Sequence, residues 1–331
     1  MSTNRKDKTL VADETSLGKE SGLKVYGSAI LFSLIVGFSF IGVKTSVSVA
    51  TPLETLTFRY NFAFLATLII VLVGLIKIDL RGKPKKKLAL TAGLYLGFMV
   101  LQTIGLVFST SIESGIIFAI IPILAKIIAS LLLKEKTNWK QNVFVCLSVA
   151  AVITMFILGA TDLSVNIAGL VILLLSSVSL ACSNVMMRYV RGVYKPFEIT
   201  FFITVGGCII FNLATIFFGI KNGTLGDYFE PLSHMSFVLA TVYLGIPSTL
   251  VTALIMAYML AHMEAVKATI FGNLSTAISI VAGVIILGEP LRLYHIVCTI
   301  LIIIGVIGLS MPSITKSNRN VKLETSKRNK R

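Results

Sequence analysis

Long apolar stretches alternate with short polar connectors along almost the whole chain. Each stretch is close to the twenty residues that a helix needs to cross a bilayer core of about 30 Å. The pattern predicts ten spans, at residues 26–47, 53–75, 88–108, 112–133, 141–158, 167–187, 197–220, 236–258, 266–287 and 293–311. We therefore expect an all-α integral membrane protein with about ten transmembrane helices.

The composition excludes a soluble domain. Apolar residues make up 55% of the chain and charged residues only 14%, with a mean hydropathy of +0.90; soluble domains carry about 25% charged residues. The net charge of +15 would favour nucleic acid in a soluble chain. Here the basic residues lie between and beyond the apolar stretches, and no nucleic-acid-binding motif occurs, so we predict no nucleic-acid partner.

The basic residues also predict the orientation in the membrane. Of the 30 Lys and Arg residues, 25 fall in the tails and one alternating set of connectors. The opposite set holds only Lys221 and Arg292, and the other three, Lys44, Arg59 and Lys126, lie in or at the ends of spans. Cytoplasmic loops are enriched in Lys and Arg, which predicts a multi-pass protein of the cell membrane with both termini in the cytoplasm. Residues 1–25 are polar and predict a disordered cytoplasmic tail, and residues 312–331 predict a basic one.

The two halves of the chain resemble each other. Residues recur in the same order at offsets of 144 to 154: Ser33, Lys44 and Pro52 as Ser177, Arg188 and Pro196; Tyr95-Leu96-Gly97 as Tyr243-Leu244-Gly245; and Leu133-Lys134-Glu135 as Leu287-Gly288-Glu289. Because each half has an odd number of spans, the second half is expected to be inverted, a plan common in secondary transporters. We predict a first repeat at 26–159, a linker at 160–166 and a second repeat at 167–311.

Several of these positions resemble a known family. They are Gly37, Lys44, Pro52, Arg59, Pro122, Glu135 and Gln141 in the first half and Gly288-Glu289-Pro290-Leu291 in the second. Two such repeats resemble the EamA-type transporters of the drug/metabolite transporter superfamily. The resemblance implies ten helices and the transport of a small solute, commonly the efflux of amino acids, metabolites or toxic compounds.

Lys126 is the first candidate for substrate binding. A charged side chain inside a span is costly and indicates function by default. Lys126 shares a helical stripe with small residues, among them Gly115 and Pro122, which let helices approach closely. The alternative is a lysine whose ammonium reaches the cytoplasmic interface. We expect the positive charge to favour a substrate with a carboxylate or phosphate.

Six further residues are candidates for substrate binding because they are polar or aromatic and lie within spans or at their ends. They are Gln102, Asn184, Asn273, Tyr95, Tyr243 and Arg59. For the amides the alternative role is hydrogen bonding between neighbouring helices; for the tyrosines it is packing or interfacial anchoring, and for Arg59 it is anchoring.

The sequence also bears on the class of activity. All five aspartates lie in tails or connectors, and no P-loop occurs, which disfavours transport driven by ATP. A membrane-embedded enzyme or a sensor is the alternative class, but the paired carboxylates or HExxH-type metal set that such an enzyme needs are missing. We predict a secondary transporter without cofactor or metal that exports an amino acid or related metabolite, with efflux of cationic drugs as the alternative. The bilayer is its expected partner, and a homodimer is left open.

Overall fold

The computed structural model describes residues 3–76, 78–132, 139–161, 166–190, 192–262 and 265–310, and these residues contain helices, turns and connectors but no strand. The helices are α1 (Thr3–Val47), α2 (Pro52–Leu72), α3 (Lys85–Phe108), α4 (Ser111–Phe118), α5 (Ile121–Leu132), α6 (Trp139–Thr161), α7 (Ile167–Val190), α8 (Pro196–Asn222), α9 (Met235–Gly245), α10 (Thr252–His262), α11 (Ala265–Leu287) and α12 (Leu293–Ser310). Two short 3₁₀ turns, Leu225–Asp227 and Glu230–Ser233, lie in the connector between α8 and α9.

Seven helical segments among the described residues are long and apolar enough to cross a membrane. They are Lys24–Val47, Pro52–Leu72, Lys85–Phe108, Ser111–Ile128, Ile167–Met187, Pro196–Asn222 and Met235–Met256. They coincide with seven of the predicted spans. Because every backbone polar group must be hydrogen-bonded in lipid, long apolar helices are the expected form, and the described part of the chain is all-helical as predicted.

The structure differs from the sequence prediction at the N-terminus. Helix α1 begins at Thr3, so residues 3–23 are helical where the sequence predicts a disordered tail. The helix of the first span continues into the polar tail, although about half of this segment is Thr, Ser, Asn, Asp and Gly, which have low helix propensity.

Two helices begin with the same local motif. Both α2 and α8 have proline as their first residue and glutamate as their third, at Pro52 and Glu54 and at Pro196 and Glu198. Proline is favoured at this position because its missing N–H would have no helical partner. Each glutamate accepts a hydrogen bond from the backbone N–H of the residue that precedes the proline, at 2.8 and 2.9 Å, and so fixes the start of its helix.

Two predicted spans are interrupted near a proline. The span predicted at 112–133 turns at Ala119 and Ile120, which separates α4 from α5 just before Pro122. The span predicted at 236–258 contains a π-helical turn at Ile246–Val251, which includes Pro247. Proline cannot donate the backbone hydrogen bond that an α-helix needs and clashes with the preceding turn.

The helices pack mainly with partners that are distant in sequence. Helix α1 packs against α9, α10 and α11, α3 against α7, α2 against α8 and α9, α4 against α11, and α6 against α12. A buried core that includes Phe40, Leu56, Tyr60, Leu106 and Ile116 joins these elements. Large apolar side chains cover the outer surface, as expected where a helix faces lipid.

Candidate functional site

A buried arginine lies where α2 crosses the π-helical turn. The Arg59 side chain is only 3% exposed. Its Nε donates to Oγ1 of Thr249 at 3.0 Å, and its Nη2 donates to Oγ of Ser248 at 3.4 Å. The Thr249 hydroxyl donates in turn to the carbonyl oxygen of Leu244 at 2.8 Å, so its lone pairs are available to the guanidinium. The crossing places a permanent positive charge beside two neutral hydroxyl groups.

Gly245 and Pro247 explain why the chain can form this crossing. A Cβ atom at Gly245 would lie 2.5 Å from the carbonyl oxygen of Arg59 and 2.9 Å from Cβ of Phe62, so only glycine allows the two backbones to come this close. Pro247 cannot continue the α-helical hydrogen-bond ladder, and the chain forms the turn at Ile246–Val251 instead. This turn directs two hydroxyl side chains toward α2.

The charge of Arg59 has no acidic partner in the described part of the chain. No carboxylate there lies within 4.0 Å of it, and the ion pair that is found joins Lys83 to Glu198. The hydroxyl of the neighbouring Tyr60 is buried and has no hydrogen-bond partner among the described residues. A guanidinium has five N–H donors, and the described hydrogen bonds use two of them.

Three predicted site residues lie on helices that pack against α2. On α3, Tyr95 is half-buried with its ring centroid 5.6 Å from that of Phe98, and Gln102 is buried. On α9, the Tyr243 hydroxyl donates to the carbonyl oxygen of Ile35 at 2.7 Å and so links α9 to α1. Their roles in binding stay predictions.

The remaining predicted site residues lie elsewhere. Lys126 is half-buried on α5, which packs against α7, and Asn184 is exposed on α7 itself. Both therefore lie on helices other than those that form the Arg59 crossing. The side chain of Asn273 lies outside the described residues. The binding roles of all three stay predictions.

Sequence reasoning did not select a polar network between α2 and α8. Asn212 Nδ2 donates to Asn61 Oδ1 at 2.6 Å, and Asn61 Nδ2 donates to the Tyr228 hydroxyl at 3.2 Å. The Tyr228 hydroxyl donates to Asn212 Oδ1. The sequence signal was available, since both asparagines lie inside apolar spans, as Asn184 does. The network fixes the connector between α8 and α9 to the middle of α2.

A second polar cluster joins α4 to the connector between α11 and α12. The Glu289 carboxylate accepts hydrogen bonds from the backbone N–H of Ser111 at 2.8 Å, from the Ser111 hydroxyl at 2.6 Å and from the backbone N–H of Ile112 at 3.1 Å. These N–H groups have no partner within a helix, and a carboxylate at this end also matches the helix dipole. Glu289 thus caps a helix that lies 178 residues earlier in the chain.

Small residues continue this contact along α4 and α11. The Thr276 hydroxyl donates to the carbonyl oxygen of Gly115 at 3.1 Å. A Cβ atom at Gly115 would lie 2.2 Å from Oγ of Ser279. The prediction that Gly115 belongs to a stripe of close helix contact is confirmed.

We expect Glu289→Gln to lower the free energy of unfolding by about 2 kcal/mol, because hydrogen bonds to a charged acceptor are the stronger ones and an amide cannot accept all three. The measurement is the thermal unfolding midpoint of the purified protein in detergent. Glu230→Gln is the matched control, since Glu230 is exposed and its side chain has no hydrogen bond among those described. Equal midpoints for the two variants would contradict the capping role of Glu289.

A known family of membrane proteins matches this chain in sequence. The sequence profile of the EamA-like transporter family matches residues 23–157 and 167–311. The chain belongs to the EamA-like transporter family. It is therefore a multi-pass membrane protein of a transporter family, and the predicted family resemblance is confirmed.

Individual relatives agree with this family. The chain is 37% identical over 303 residues to the uncharacterized transporter YcxC of Bacillus subtilis (strain 168), an overlap that covers 91% of this chain and 97% of the relative. It is 24% identical over 270 residues to an uncharacterized transporter of Archaeoglobus fulgidus, covering 82% and 92% of the two chains. A crystal structure at 16% identity shares the fold with a TM-score of 0.57 and covers 85% of this chain and 96% of its own. The two relatives named as transporters support membrane transport, and their names specify no substrate; the crystal structure supports the fold alone.

Proposed function

We propose that this EamA-like protein is a secondary transporter that exports an amino acid or a related carboxylate-bearing metabolite across the cell membrane. The observation that carries the proposal is the buried guanidinium of Arg59, whose hydrogen bonds among the described residues are to hydroxyl groups alone. A buried charge is costly unless it is paired. A substrate carboxylate would pair with it in the geometry that guanidinium groups favour.

The proposed architecture is ten spans in two inverted five-helix repeats. Besides the seven long helices, shorter apolar helices occur at Asn142–Ala151, Leu274–Leu287 and Leu293–Gly305, where the sequence predicts the other three spans. If the second half repeats the first, α7 is the counterpart of α1, and α9 with α10 is the counterpart of α3. The packing of α1 against α9 and α10 then corresponds to the packing of α7 against α3, and both pairings are present. The two separate family matches also support a repeat.

The experiment that tests the function is an export screen of cells with and without the gene. Cells are loaded with amino acids, other carboxylates, uncharged metabolites and cationic dyes, and the efflux of each is followed. We expect faster efflux of one or more carboxylate-bearing solutes when the gene is present. Efflux of cationic dyes alone would contradict the proposal, because Arg59 would repel a cation at this position.

The proposed orientation predicts a labelling pattern with a membrane-impermeant thiol reagent. Lys221 and Lys85 are both exposed, and the charge asymmetry predicts that they lie on opposite sides of the membrane. We expect Lys221→Cys to react in intact cells and Lys85→Cys to react only after the cells are permeabilised. The unmodified protein gives the background of its four native cysteines. Labelling of Lys85→Cys in intact cells would refute the orientation.

A further inference from the structure

The shared start of α2 and α8 leads to different surroundings for its two glutamates. At α8, Glu198 is 2% exposed and its Oε2 accepts a hydrogen bond from the ammonium group of Lys83 at 2.7 Å. The same carboxylate accepts from the backbone N–H of Lys195 at 2.9 Å and of Asp79 at 3.3 Å. Here the glutamate of the Pro-X-Glu motif therefore binds a primary ammonium group supplied by the neighbouring connector.

At α2, the equivalent Glu54 has no such partner. Among the described residues its side chain accepts hydrogen bonds only from Thr51, and both are at Oε2. The connector that lies over it, residues 223–234, contains no Lys or Arg. Both oxygens of Glu198 therefore have partners from the neighbouring connector, Oε2 from Lys83 and Oε1 from Asp79, whereas Oε1 of Glu54 has none among the described residues.

A cavity of about 260 Å³ lies next to Glu54. Residues with hydroxyl or amide side chains line it together with Glu54, and they are Thr51, Thr215, Asn222, Thr224 and Tyr228. The hydroxyls of Thr215 and Tyr228 are also hydrogen-bonded to residues of α2. Leu53, Phe218 and Leu225 add an apolar wall. The cavity therefore combines one negative charge with several neutral acceptors and a surface for a short hydrocarbon chain.

We propose that this cavity binds the primary ammonium group of a small aliphatic amine or amino acid, with Glu54 in the role that Glu198 has toward Lys83. An ammonium group has three N–H donors, which match the Glu54 carboxylate and the neighbouring hydroxyl oxygens. Divalent cations bind more oxygen ligands, and more carboxylates among them, than this cavity offers. The assignment of an ammonium site does not depend on the proposed function. Only the identification of its ligand as a transported solute, bound at the outer end of the helices, rests on that function.

A reporter cysteine at Asn222, which is exposed and lines the cavity, tests the proposal in purified protein without any transport step. The reaction of Asn222→Cys is measured with an aminoethyl methanethiosulfonate and with its neutral methyl analogue, and the native cysteines give the background. The quantity compared is the ratio of the cationic to the neutral reaction rate. We expect the negative charge of Glu54 to make this ratio about tenfold higher for the reporter cysteine than for a free thiol. Millimolar n-butylammonium should slow both reactions, and 1-butanol should not.

Adding Glu54→Gln to the reporter should remove both the tenfold preference and the protection by n-butylammonium, while the rate of the neutral reagent stays the same. Asp227→Asn is the matched control, because Asp227 is an exposed acid on the same connector that does not line the cavity, and it should change neither. Protection that survives Glu54→Gln would overturn the proposal. If Glu54→Gln also changes the reaction rate of the neutral reagent, the test is made on the reporter protein that retains Glu54. There, equal protection of the cysteine by n-butylammonium and by 1-butanol would overturn the proposal.

The same ammonium chemistry occurs in the headgroup of phosphatidylethanolamine, and the assay separates the two sources. Protein in nanodiscs of phosphatidylcholine alone is compared with protein in nanodiscs that also contain phosphatidylethanolamine. If n-butylammonium protects the cysteine in both kinds of nanodisc, the result supports a soluble ligand. If phosphatidylethanolamine alone protects the cysteine and n-butylammonium then adds nothing, the proposal of a soluble ligand is overturned. Because these are binding measurements, a negative export screen with positive protection would refute the transport function and leave the ammonium site standing.

Discussion

Replacing Arg59 by methionine is expected to lower transport of the exported solute by about a hundredfold. Truncating one partner of a buried hydrogen-bonded charge pair costs roughly 2 to 5 kcal/mol, and 1.4 kcal/mol is tenfold in affinity. Methionine keeps an unbranched stem of similar length, so the helix crossing should survive. The measurement is the initial transport rate, normalised to the amount of protein in the membrane.

Two further variants define what the result means. Arg59→Lys should restore transport only in part, because a compact ammonium cannot hold two hydroxyls and a carboxylate in one plane as a guanidinium can. Lys126→Met, measured in parallel, tests the other predicted cation, and its full activity would show that this lysine only reaches toward the interface. Unchanged transport by Arg59→Met at matched expression would rule out Arg59 as the carboxylate site and assign it a structural role.

Gly245→Ala is expected to destabilise the fold more than an ordinary helix substitution does. The added Cβ atom would lie 2.5 Å from the carbonyl oxygen of Arg59 and 3.0 Å from the backbone nitrogen of Ala63. These atoms belong to the helix backbone and cannot turn aside as a flexible side chain can. Overpacking typically costs about 1 to 3 kcal/mol, and we expect the upper end of this range.

The control is Gly93→Ala on α3, since Gly93 is exposed and a Cβ atom there meets nothing within 4 Å. Alanine has the higher helix propensity by about 1 kcal/mol, so Gly93→Ala should raise the unfolding midpoint slightly or leave it unchanged. The thermal unfolding midpoints of both variants in detergent test the difference. A Gly245→Ala protein as stable as Gly93→Ala would mean that α2 and α9 are not in close contact in the folded protein.

The sequence was sufficient to predict helices but insufficient to predict which side chains meet. Hydropathy located the seven long helices, because the requirement to satisfy backbone groups in lipid acts on each segment by itself. The contact of Arg59 with Thr249 joins residues 190 positions apart, and it depends on how two helices are rotated about their axes. Hydropathy contains no information on that rotation when most faces are apolar.

The interrupted helices show the same limit on a smaller scale. Pro122 and Pro247 lie in two of the predicted spans, and breaks occur beside both. A proline determines which helical hydrogen bond is lost. The surrounding residues determine which type of turn forms in its place. A turn forms before Pro122, and a π-helical turn includes Pro247 and directs the hydroxyl groups of Ser248 and Thr249 toward Arg59.

The pairing of α1 with the last third of the chain has a consequence for biosynthesis. The Ser33 hydroxyl donates to the carbonyl oxygen of Phe271 at 2.6 Å, 238 residues later. At a synthesis rate of about 5 to 20 residues per second, α1 is in the membrane for roughly 10 to 50 s before that partner exists. The same hydroxyl lies 3.0 Å from the carbonyl oxygen of Ala29, one turn earlier in its own helix. This local acceptor lets Ser33 remain hydrogen-bonded in lipid while the ribosome completes the chain, so the first helix can be inserted long before it is packed.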